Sequence, residues 1–291
     1  MRHLWHWAMA GALVVTLVHP GSTALADDLP APVLGSYNDF GNTGLLQMPN
    51  ARMAPDGEFA IGSSYVWPYT RYYVTSQFLP WLQGTFRFTS IANRDYGPAS
   101  KTGQSYKDKG VDVKVRLVPE GPYTPEISAG LRDVGGTGLF SSEYVAMSRR
   151  YYDFDFTLGM AWGNAGTRGD FSNPLGLAAD SFKSRQASSS TGAFNNNYFR
   201  GESVALFGGI EYRTPIEGLR LKLELDGNNY QEEPQEGEFN VASRLNVGAE
   251  YQPWSWLNLG LGLERGNKAM FRLTLKSNPS TDMGVPKLIV K

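Results

Sequence analysis

The chain has 291 residues, with 27 basic against 28 acidic side chains, 13% aromatic residues and 19% charged ones. It holds no cysteine, and its three histidines (His3, His6 and His19) all lie near the start. A near-zero net charge without a basic block leaves no nucleic-acid footprint, and so aromatic a chain is not a disordered one.

Arg2 and His3 precede the apolar run LWHWAMAGALVVTLV, and Ala24 and Ala26 flank Leu25. That order predicts a secretory signal peptide over residues 1–26, cut before Asp27. The run is shorter than the ~20 residues a spanning helix needs, and no cysteine follows to carry a lipid. Cleavage removes one arginine and every histidine, leaving 26 basic and 28 acidic residues, net −2. Without histidine or cysteine, Ser-His-Asp and Cys-His nucleophiles, thiolate chemistry, disulfides and imidazole- or thiolate-bound zinc are excluded. No cofactor is expected.

Residues 27–56 read as a periplasmic leader. Within the stretch GLLQMPNARMAPDGE, Pro49 and Pro55 oppose helix and sheet. Pro55-Asp56-Gly57 is a turn leading into the first strand. Leu45, Leu46 and Met48 are an apolar foothold on the periplasmic rim or in a barrel mouth.

From there period-two alternation replaces any helical period. VDVKVRLV sets Val111, Val113, Val115 and Leu117 against Asp112, Lys114 and Arg116, and LRLKLELD repeats the pattern. Twelve such strands are expected, at 57–66, 70–78, 82–91, 110–118, 125–133, 142–149, 153–162, 202–213, 219–227, 239–251, 256–265 and 269–276. A tail, 277–291, follows. An even number of roughly ten-residue strands suits an antiparallel transmembrane β-barrel. A periplasmic carbohydrate-binding β-sandwich is the alternative.

Connection lengths favour the barrel. LPW, PEGPYT, RYY, TPIEG and QPWS alternate with ANRDYGPASKTGQSYKDK, VGGTGLFSS, the 163–201 stretch and GNNYQEEPQEGE. Short turns on one rim and long loops on the other are the outer-membrane asymmetry. Trp67, Trp81, Trp162, Trp254 and Trp256 fall at strand ends or turns, as interfacial girdles do.

In a barrel the polar face lines the lumen. It carries Arg87, Lys114, Arg116, Arg132, Arg213, Arg220, Lys222, Arg244, Arg272 and Lys276 against Glu58, Asp112, Asp153, Asp155, Glu211, Glu224, Asp226, Glu250 and Glu264. These near-balanced charges read first as a self-bracing wall. A hydrophilic path for a sugar polymer is the functional reading. Asp153 with Asp155, or Glu224 with Asp226, would share a face as glycosidase acids do. Strand alternation produces such pairs without catalysis, so no enzyme is expected. VGGTGLF lacks the lysine and helix of a phosphate loop, and ASSSTGAFNNNYF is a polar loop.

NDFGNTGLLQMPNARMAPDGEF, YTRYYVTSQFLPWLQGTFRFTSI, SYKDKGVDVKVRL and GLRDVGGTGLFSSEYVAMSRRYYDFDFTLGMAWG resemble the YjbH-like family of outer-membrane exopolysaccharide proteins over about residues 36–276. The resemblance implies a bacterial outer-membrane barrel acting in production or export of a secreted polysaccharide. Its partners would be outer-membrane lipid, the polymer and other export proteins. It supplies no catalytic residues. Family members are longer, with a second large region after the part matched here.

Overall fold

A computed structural model describes residues 35–95, 103–185, 197–231, 233 and 240–284. The signal-peptide reading, most of the Ser/Asn-rich loop and the end of the tail lie outside them. Among the described residues, β1 (Phe59–Val66), β2 (Tyr69–Leu79), β3 (Leu82–Asp95), β4 (Ser105–Val118), β5 (Glu126–Arg132), β6 (Ser142–Tyr151) and β7 (Phe154–Gly163) follow one another as a meander. A two-residue strand, β8 (Phe171–Ser172), interrupts the series. The meander resumes with β9 (Ser203–Arg213), β10 (Leu219–Leu225), β11 (Leu245–Trp254), β12 (Leu257–Glu264) and β13 (Lys268–Ser277). Each long strand pairs antiparallel with its chain neighbour, with β7 meeting β9. Phe59–Val66 then pairs with Ser277–Met270, so β13 closes on β1. The sheet is one closed barrel of twelve strands, and the sandwich alternative falls away. β8 lies against β9, and α1 is a single turn, Pro279–Asp282.

Strand positions follow the sequence reading to within a few residues. The largest shift is at the start of β11, expected near 239 and found at Leu245. Residues 240–244 spend their backbone outside the ladder, where Arg265 carbonyl oxygen accepts the amides of Ala242 and Ser243.

Burial runs opposite to that of a soluble domain. Ile61, Phe78, Phe86, Leu158, Leu223, Leu261 and Phe271 stand on the outside, between 43% and 60% exposed. Arg71, Arg87, Lys114, Glu224, Glu250 and Arg272 are buried inside. An apolar exterior around a charged interior is the pattern of a wall facing hydrocarbon. Trp81, Trp254 and Trp256 are half-exposed at the short-turn rim, the last two stacked at 5.3 Å. Trp67 occupies the opposite rim. Trp162 departs from the girdle reading. It is buried beneath the β7–β9 connection, its indole N–H donating to Asn173 Oδ1 at 3.0 Å.

Leu223→Arg, on the outer face of β10, is expected to cost about 2–4 kcal/mol at mid-membrane depth. The folded fraction, read from heat-modifiable gel migration after refolding into bilayers, should fall, while Leu223→Val stays near wild type.

Candidate functional site in the lumen

The lumen is filled by the chain's own leader. Residues 35–54 are buried throughout, and they form a compact double turn. Tyr37 bridges Thr43 and Gly44 bridges Pro49. Asn38 Oδ1 accepts the amides of Phe40 and Asn42 at 3.0 and 3.1 Å. Asp39 donates its amide to the Leu46 carbonyl at 2.8 Å. Gly41 holds φ +86°, and a Cβ there would lie 2.3 Å from the Tyr73 ring. The reading of 27–56 as a periplasmic leader is therefore corrected for its described part. Once the strands close, their inward charges need partners, and this polar segment supplies them from within.

Bonds to the plug come from around the wall. Glu224 on β10 accepts the amides of Leu46, Gln47 and Met48 at 2.8–3.1 Å. Lys222 donates to the Leu45 carbonyl at 2.9 Å, and Lys114 on β4 to the Arg52 carbonyl at 2.6 Å. Arg132 on β5 reaches the Gln47 carbonyl at 2.7 Å. Arg272 on β13 pairs with Asp39 at 2.9 Å, and Glu264 on β12 accepts from Gln47 Nε2 at 2.6 Å. Ser64, Thr75, Gln83, Ser148 and Glu211 bond it from β1, β2, β3, β6 and β9. On β11 Gly248 supplies room instead, since a Cβ there would meet Leu46 Cδ2 at 2.7 Å.

The plug enters and leaves at the short-turn rim. Tyr37 Oη donates to Glu58 at 2.6 Å, next to the start of β1. Arg52 forms the exit lock, paired with Asp155 at 2.7 Å, Glu126 at 2.9 Å and Glu120 at 2.5 Å. Burial works against the Arg52 charge, but Asp155 and Glu120 outweigh it and hold the guanidinium more firmly protonated than usual. Removing one member of a buried ion pair typically costs about 3–5 kcal/mol, because the other is left bare.

The far end of the plug meets the long-loop rim. There the Phe40 ring faces three guanidiniums, with Cζ of Arg132, Arg71 and Arg87 at 4.0, 4.3 and 4.8 Å from its centroid. Phe140, from the β5–β6 connection, sets its edge against Phe40 at 5.9 Å. Asp133 Oδ2 accepts the Phe140 amide at 3.2 Å. Burial pushes the Asp133 carboxyl up to about 6, against the opposing pull of Arg87.

The structure gives most of the sequence-derived lumen residues one or both of two roles, bonds within the wall and bonds to the plug. Arg87 and Asp112 form a buried pair at 2.7 Å. Lys222, Glu250 and Arg272 join in one network, with Glu211 and Arg220 at its edge. Lys114, Arg132, Asp155, Glu224 and Glu264 hold the plug directly. Arg116 and Arg213 are half-buried toward the short-turn rim, where Arg116 lies 3.7 Å from Glu126. Arg244 instead reaches Asp170 at 2.6 Å, at the strand ends. Asp153 is corrected outright: it is exposed in the β6–β7 turn and shares no face with Asp155. Its backbone carbonyl, accepting the Arg213 amide at 2.8 Å, is what holds it there.

Sequence reasoning missed Asp39, Phe40, Arg52, Arg71, Asp108 and Asp133. Arg71 had a signal, because Arg71, Tyr73, Thr75 and Gln77 alternate with Tyr72, Val74, Ser76 and Phe78 along β2. The plug residues follow no period and carry no such signal.

The profile of a protein family described as "Exopolysaccharide biosynthesis protein YbjH" matches residues 36–291. The chain belongs to the YjbH family. The "Uncharacterized lipoprotein YjbH" of Escherichia coli (strain K12) is 43% identical over 252 residues, which are 86% of this chain and 36% of that protein. The chain thus spans about a third of its relative's length. Among solved structures it is similar to the KdgM porin, with TM-score 0.39 and 9% identity over 75% of this chain and 97% of that one. The NanC porin gives TM-score 0.38 and 11% identity over 76% and 98%.

Glu224→Ala should loosen the plug, since each buried amide left without its acceptor costs about 1–3 kcal/mol. Hydrogen exchange at Leu46–Met48 is expected to accelerate while strand amides stay protected. For Asp133, a folded pKa above the usual ~4 makes the protonated form the better-tolerated one. Its contribution is therefore present below pH 4 and lost as pH rises through about 6. Thermal melts in detergent over that window should show a decline that Asp133→Asn flattens.

Proposed function

We propose that this YjbH-family chain is a non-enzymatic outer-membrane barrel that supports exopolysaccharide production or export, closed at rest by residues 35–54. Three observations support the membrane: the apolar outer wall, the aromatic rims and the sorting of connections into a short-turn end and a long-loop end. The plug is the observation that carries the functional reading. A lumen bonded across by side chains from strands on every side offers no standing path. In this state the barrel serves as an assembly partner for export proteins and acts as a conduit only when the plug withdraws. Both plug ends lie at one rim, so withdrawal toward that side needs no threading. The separation of Asp153 from Asp155, and the engagement of Asp155 by Arg52, speak against a glycosidase pair.

Planar-bilayer recordings should give no steady conductance for the full chain and stable openings for a variant lacking residues 36–54. Arg52→Ala with Glu224→Ala serves where the deletion fails to fold. Cells lacking the gene are expected to secrete less polymer; unchanged secretion would overturn the role in exopolysaccharide.

A further inference from the structure

The plug tip stacks on a group of buried polar side chains to which it gives no hydrogen bond. Cross-strand register places Arg71 on β2 opposite Thr89 on β3, and Thr89 opposite Asp108 on β4. All three are at most 1% exposed. Among the described residues, Arg71 Nε and Nη1, Thr89 Oγ1 and Asp108 Oδ2 have no hydrogen-bond partner. The same holds for Nε and Nη2 of Arg87, at the adjoining inward position of β3, and for Oδ1 of Asp133. Buried polar atoms are almost always bonded, and each unpaired one is costly. So many in neighbouring register positions point to a ligand.

We infer that Arg71, Arg87, Thr89, Asp108 and Asp133 form a subsite for one hydroxyl-rich sugar residue, in which the sugar takes the place of the Phe40 ring. The donor and acceptor types decide the class. A simple anion would satisfy the guanidiniums and be repelled by Asp108 and Asp133. A sugar hydroxyl both donates and accepts, so it serves guanidinium and carboxylate together. The position held by Phe40 lies over three guanidiniums and against the edge of Phe140, so a sugar ring placed there sets its hydroxyl oxygens against guanidinium donors. The cover is the β5–β6 connection, tied down by Thr137 donating to Asp108 and by Phe140 donating to Asp133. A sugar bound here displaces the plug tip, so ligand and plug compete.

This inference rests on the exopolysaccharide reading above and has its own test. Oligosaccharides from partial hydrolysis of the polymer secreted by the producing cells are titrated into the full chain in detergent micelles. Binding is followed by calorimetry and by hydrogen exchange of Leu46–Met48. Weak saturable binding is expected for wild type, with faster plug exchange. Phe40→Ala should bind at least about tenfold more tightly and Arg71→Gln about tenfold more weakly, the scale of one charge-assisted hydrogen bond. Thr89→Val provides the second variant where Arg71→Gln fails the heat-modifiability check for folding. Absence of saturable binding in Phe40→Ala, or equal affinity in Arg71→Gln (Thr89→Val where that variant is used) and wild type, overturns the subsite. Arg71-dependent binding of inorganic phosphate in place of the oligosaccharides overturns the sugar assignment. If gene loss lowers secreted polymer while binding fails, only the subsite falls; unchanged secretion sinks the underlying reading.

Discussion

A carboxylate that receives three successive backbone amides is the interaction on which this structure turns. Glu224 points inward because β10 alternates, and once inside it has no bulk water to solvate it. Leu46, Gln47 and Met48 present their N–H groups in one turn, and the carboxylate gathers all three. Lys222, two residues earlier on the same strand, does the complementary task by donating to the Leu45 carbonyl. One strand thus satisfies both kinds of backbone group in one tight turn. The remaining wall repeats the principle with other residues.

This arrangement recasts the near-balance of inward charges. Counted along the chain, the cations and anions read as a wall that braces itself across neighbouring strands. Part of it is that, as Arg87 with Asp112 and Lys222 with Glu250 show. The other part is directed at a third party. Arg132, Lys114 and Glu264 leave their wall neighbours and bind main-chain or amide groups of the leader. Buried ion pairs add little net stability, since desolvation offsets their attraction. Their worth here is positional, because each fixes one point of an otherwise irregular segment.

What was legible followed from periodicity. Alternation in VDVKVRLV or LRLKLELD is dictated by the pleat, so strands, faces and closure could be read from the residues alone. Asp153 escapes the alternation because it stands one residue before β7, in a two-residue turn where the pleat no longer fixes the side chain's face. The leader was harder for a different reason. Its fold comes from an Asx turn at Asn38, a left-handed glycine at Gly41 and contacts with residues more than a hundred positions away. None of these leaves a repeating trace. Arg52 looked like one charge in a turn-rich stretch, and only the closed barrel brings Asp155, Glu126 and Glu120 around it.

Chain order gives the plug a further meaning. It is made before any strand that surrounds it, yet Arg272, which grips Asp39, lies on the last strand, 233 residues later. Contacts so distant in sequence form late, because loop-closure entropy must be met first. The cylinder therefore cannot be built first and filled afterwards without reopening the β1–β13 seam or drawing the segment in through the short-turn rim. The width of the barrel, by contrast, follows from its twelve strands and their stagger, so the plug has to fit a cylinder whose size it does not choose.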